Sequence, residues 1–153
     1  MKDEVPFGVL LIRDGHEAGP ATTFNVGTLA RVTDWYQGSD GLLGITAIGG
    51  ERFRLCSSER QVDGLNMGEV ELLPAVQPMA LPDQYEFLQP ILESVLNDLG
   101  RLYEDLERQY DDAVWMAWRF VEILPIDLEE KQALLETDDI PACLVLIEKV
   151  LHP

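Results

Sequence analysis

The stretch from Asp111 to Glu136, DDAVWMAWRFVEILPIDLEEKQALLE, constrains this chain more than any other. Between Ala113 and Leu124 the only charged residues are Arg119 and Glu122, three apart, so with Asp112 and Trp115 they form one narrow stripe along a helix. A helix that is apolar over most of its circumference has to be covered on most sides, which makes this one the hub of a helical bundle. Pro125 ends it, because proline has no N–H to donate and its ring clashes with the preceding turn. The next helix begins almost at once, with Asp127 as its N-cap and Glu130 three residues on as a carboxylate version of the capping box.

Upstream of this hub the pattern is different. Phe7 to Arg13, FGVLLIR, is a continuous apolar run closed by Asp14-Gly15, which reads as a buried strand and a turn. His16 to Thr23 is loop. Asn25 to Asp34 alternates, Trp35 to Gly41 is a turn-rich connection, and Leu42 to Ile48 is the next strand, broken by Gly49-Gly50. Glu51 to Ser57 alternates again, so Leu42 to Ser57 is expected to be a hairpin or a sharply bent pair. Asp63-Gly64 marks a further turn between Glu59 to Val62 and Leu65 to Leu73. Short strands with turns at these intervals predict a small antiparallel barrel or sandwich.

Pro74, Pro78 and Pro82 mark the boundary, giving a β subdomain over 1–78 and a helical subdomain over 79–153. Tyr85, Leu88, Leu92, Val95, Leu96, Leu99 and Leu102 follow the spacing of one helix face, with a kink or a fresh start at Pro90. A final helix runs from about Asp139 to Leu151, with Pro141 in its first turn. Strands first and helices afterwards is the α+β class.

Charge narrows the partners. Eleven basic and twenty-eight acidic residues give −17, with −5 over residues 1–78 and −12 over residues 79–153. Nucleic-acid affinity comes largely from neutralising phosphates, so no nucleic-acid partner is expected. Cys56 and Cys143 have no metal-clip spacing and read as buried thiols in a reducing compartment. Met1 to Pro6 is polar and Phe7 to Ile12 too short for a signal core. No run approaches the roughly 20 apolar residues of a membrane span. A cytoplasmic protein is expected.

No G-x-S-x-G elbow, phosphate loop or H-E-x-x-H motif is present, and His16 and His152 are far apart, so no catalytic residue, metal or cofactor is assigned. Asp111-Asp112, Glu129-Glu130 and Asp138-Asp139 are explained as helix starts, where negative charge is favourable. Binding remains. Trp35 and Tyr36, beside Gly38 to Gly41, are aromatics on an expected hairpin loop and are the candidate contacts; the competing arrangement folds their rings back over the barrel end. Trp115 and Trp118 are assigned to the core, and Arg52 and Arg54 to the solvent side.

Leu124-Pro125-Ile126 followed by Lys131, Gln132, Leu134, Leu135 and Glu136 resembles the Lon protease N-terminal domain family, a substrate-binding domain that also occurs as a small stand-alone protein. Phe7-Gly8-Val9, Val26-Gly27-Thr28-Leu29-Ala30, Asp40-Gly41-Leu42-Leu43-Gly44-Ile45 and Gly50-Glu51-Arg52-Phe53 extend the resemblance over nearly the whole chain. It implies a small PUA-like β-barrel joined to a helical bundle, and a non-enzymatic domain that recognises unfolded or exposed polypeptide, since the Lon ATPase and peptidase parts have no counterpart here. The family's opening Pro-Leu-Phe-Pro-Leu-like strand and Glu-x-Arg-Tyr helix are not found before Phe7. An unpaired strand edge is therefore expected, capped by residues 1 to 6, by a second copy or by an upstream segment. Two other readings stand beside peptide binding: an assembly module that dimerises through that edge, and an uncharacterised hydrolase, which would need a pocket of converging titratable groups.

Overall fold

A computed structural model describes residues 5–15, 21–104 and 106–152. The chain divides into two compact units between Ala75 and Val76. The first is built of strands β1 (Phe7–Val9), β2 (Ile12–Gly15), β3 (Ala21–Thr23), β4 (Val26–Gln37), β5 (Leu43–Arg60) and β6 (Asn66–Leu72). Strands β1, β4, β5 and β6 lie side by side in that order, each pair antiparallel, while β2 and β3 pair separately.

This sheet is open, which corrects the expectation of a PUA-like barrel. Closure would need the outer strands β1 and β6 to pair with each other, and among the described residues they do not. The reason lies in the first apolar run. Phe7 to Arg13 is not one strand: β1 stops at Val9, and β2 leaves to pair with β3. The main sheet is left with a three-residue edge and four strands in all, too few for their twist to bring the edges together.

The two long strands carry the bends that replace the expected breaks. Thr28 faces Arg52 and Ala30 faces Gly49, so Gly50 and Glu51 together oppose Leu29. Gly49-Gly50 therefore marks a bulge inside one continuous strand, not the end of one. Thr33 is the extra residue of a second bulge on β4, and Cys56 of a third on β5. Phe53 is the best-buried large side chain of this unit, 1% exposed, as its inward assignment requires. Its ring fills the space over two glycines: a Cβ on Gly8 or on Gly27 would stand 2.9 Å from Phe53 Cζ.

The second unit contains α1 (Leu88–Leu99), α2 (Ala113–Ile123), α3 (Leu128–Glu136) and α4 (Ile140–Leu151), with single 3-10 turns at Asp83–Tyr85 and Gly100–Tyr103. Helix α2 packs against both α1 and α4. It buries Met116, Ala117 and Phe120 against Leu88, Leu92, Leu144 and Ile147. Each large apolar side chain so buried contributes roughly 1.5–3 kcal/mol. The hub reading of α2 holds, with one refinement: Trp115 and Trp118 are half-buried against this core and do not lie within it. Trp115 is held on the stripe edge by Tyr110, ring to ring at 5.5 Å and 84°, and by the Arg119 guanidinium 5.9 Å from its centroid.

Helix starts explain most of the paired carboxylates. Asp112 caps α2 by accepting from Val114 N at 2.9 Å and also takes Met79 N at 3.1 Å. Asp139 caps α4 by accepting from Ala142 N at 3.1 Å, with Pro141 in the first turn. Asp127 precedes α3 but makes no side-chain cap, so the capping box expected there is absent.

Candidate functional site

The β unit exposes apolar side chains at the ends of its two long hairpins, and the same turn builds both ends. In the β4–β5 connection Gly38 N donates to Leu42 O, Gly41 N to Gly38 O and Leu42 N to Asp40 Oδ1. In the β5–β6 connection Gln61 N donates to Leu65 O, Gly64 N to Gln61 O and Leu65 N to Asp63 Oδ1. Gly41 at φ 83° and Gly64 at φ 89° supply the left-handed residue that this hairpin loop needs. Each Asp-Gly-Leu turn then places its leucine outward, Leu42 at 68% exposure and Leu65 at 55%.

Trp35 and Tyr36 are exposed, but they do not sit in a loop. They lie near the turnward end of β4, just before its last residue Gln37, where Trp35 pairs with Ile45 and Tyr36 with Gly44. Successive strand residues point to opposite faces, so the two rings lie on opposite sides of the sheet. The Tyr36 ring covers Gly44, whose missing side chain makes the room. Trp35 stands beside Ile45, with Leu43 two residues on along the same face, and all three are exposed. Leu42, Leu43 and Ile45 were not among the expected contacts, although Asp-Gly-Leu at 40–42 and again at 63–65 marks both hairpin ends in the sequence. Asp34 Oδ1 accepts from Trp35 N at 2.8 Å and fixes the backbone there.

The helical unit holds an open groove lined by Met79, Gln89, Glu93, Arg108, Tyr110 and Asp112, among others. Two of its charged groups are committed: Asp112 to the α2 cap, and Arg108 to Asn97 Oδ1 at 2.8 Å and to Tyr110 OH at 3.2 Å. No serine, threonine, cysteine or histidine lines it. Elsewhere Tyr103 donates to Glu122, and burial first and this hydrogen bond second push its hydroxyl pKa well up; the pair ties the 3-10 turn to α2. His152 lies 5.6 Å from the Phe87 ring, and His16 falls outside the described residues. Among the described residues no group of three or more His, Cys, Asp or Glu could hold a metal ion.

Residues 1–152 match the model of the family described as the ATP-dependent protease La (LON) substrate-binding domain. The chain belongs to that family. Two solved Lon N-terminal domains are similar to it. The Lon N-terminal domain protein from Xanthomonas campestris is 30% identical, with a TM-score of 0.70 over 95% of this chain and 75% of that one. The N-terminal domain of the Mycobacterium avium complex Lon protease is 16% identical, with a TM-score of 0.57 over 94% of this chain and 76% of that one; that second likeness concerns the fold alone. No curated protein matches. The family is described as a substrate-binding domain, and no helix among the described residues is long and apolar enough to cross a membrane.

Proposed function

We propose that this Lon-type domain grips exposed or unfolded polypeptide segments at the end of the β4–β5 hairpin, with Trp35 and Tyr36 as contacts. The observation that carries the reading is the exposure of large apolar side chains on a family member whose relatives are substrate-binding domains: Trp35 at 47% and Tyr36 at 56%, flanked by Leu42 and Leu43. Large apolar side chains exposed on the two faces of a hairpin end are unfavourable in water, and covering them with a partner is favourable. Replacing Trp35 and Tyr36 together by alanine weakens binding to an unfolded polypeptide by at least about tenfold, in line with aromatic anchors at interfaces. Folding stability changes little, since exposed positions move it by only about 0.5 kcal/mol. Unchanged affinity in the double variant would sink the assignment.

A second reading uses an open strand edge for a homodimer, and the outer side of β1, which has no strand partner among the described residues, favours it. Light scattering separates the two, because a tight dimer that hides an edge supports assembly. The free thiols of Cys56 and Cys143 support a reducing cytoplasm as the place of work.

A further inference from the structure

We propose that the free edge of β6 accepts an extended segment in which apolar and basic residues alternate, a partner chemistry that rests on the polypeptide-binding reading above. Gln61 N donates to Leu65 O and Leu73 N to Arg52 O. Backbone polar groups alternate sides along a strand, and the bulge at Cys56 adds its extra residue to β5, not to β6. The odd-numbered residues of β6 therefore bond to β5. Gly68, Val70 and Leu72 turn their N–H and C=O groups outward, to a side that has no strand among the described residues. Such a row is a template for one more strand.

Side chains on β6 sort by the same alternation. Gly68, Val70 and Leu72 lie on one face, continuing Leu55 and Phe53 of β5, which stand opposite Val70 and Leu72. Met67, Glu69 and Glu71 lie on the other. Arg54 stands opposite Glu71, but Ser57 stands opposite Glu69, and all seven residues of β6 are exposed. An added strand thus meets an apolar stripe on one face and carboxylates on the other. A chain of net charge −17 draws cationic segments to it before contact.

The same carboxylates count against a second copy as the occupant. Antiparallel pairing of β6 with itself centred on Glu69 sets Glu69 against Glu69, and centred on Val70 sets Glu69 against Glu71. Like charges directly opposite each other are destabilising.

The test uses the full chain and a labelled peptide of about seven residues, the length of β6, alternating lysine with valine or leucine. The expected result is binding roughly tenfold tighter than to the same residues in scrambled order or with glutamate replacing lysine. Binding slows hydrogen exchange at the Gly68, Val70 and Leu72 amides. Val70→Pro removes an outward N–H and no bond to β5, and abolishes this binding. Should that variant misfold, Glu69→Lys with Glu71→Lys serves instead, and reverses the preference toward the glutamate peptide. Equal binding of ordered and scrambled peptides, or an unreversed preference, overturns the edge assignment. If an unfolded polypeptide still binds, and does so through Trp35 and Tyr36, only the edge inference falls. If neither peptide nor unfolded polypeptide binds, both fall.

Discussion

The two cysteines show how far residue identity alone reaches. Both read as buried from their apolar neighbours, yet Cys56 is exposed, on the Arg54 side of β5, while Cys143 is 2% exposed inside the bundle. Alternation from the buried Phe53 already turns Cys56 outward, so the strand period was a better guide than the neighbours' apolarity. Burial, and secondarily the charge of Asp139, pushes the Cys143 thiol up to about 11. In the native protein near pH 8 a thiol-reactive disulfide reagent therefore modifies Cys56 alone, and both cysteines once the chain is denatured; rapid native labelling of Cys143 would contradict its placement. The folded thiol keeps its proton when the unfolded one, near its ordinary 9, has lost it. Its contribution is constant below about pH 9 and declines from there toward pH 11. For Trp35 and Tyr36 the sequence left exposed rings and rings folded over the sheet end both open and placed them in a loop, because Gly38 and Gly41 signal a turn without saying where the ladder ends.

Helices were the most legible elements, since their signals are local. The three-and-four spacing of Leu88, Leu92 and Leu96, the stop at Pro125 and the start at Asp139-Pro141 all act within a turn or two, and each is found in place. Asp112 is the cap with most attached to it, holding Val114 N and Met79 N together. Asp112→Ala is expected to cost about 1–2 kcal/mol in denaturant unfolding. Asp112→Asn keeps an acceptor oxygen and loses only the charge, costing about 0.3–1 kcal/mol. Equal losses for the two would show that charge, not the paired hydrogen bonds, matters there. Strands were legible as segments and less so as ladders. Gly49-Gly50 has the composition of a break, and becomes a bulge only because Leu29 stands across from Gly50 and Glu51.

For the molecule as a whole, the α+β order follows from the sequence, whereas barrel closure does not. Whether β1 reaches β6 depends on strands far apart in the chain, and the split of Phe7 to Arg13 into β1 and β2 decides it. The β unit that results buries few large side chains and leaves its hairpin ends and outer strand exposed, while the helical unit encloses a full core. The direct measurement is a fluorescence anisotropy titration of the protein against one polypeptide in two states, folded and permanently unfolded by reduction and alkylation, with the polypeptide's mass checked afterwards. The account predicts saturable binding to the unfolded state alone, with the polypeptide recovered intact. Equal binding to both states, no binding to either, or cleaved polypeptide would contradict it.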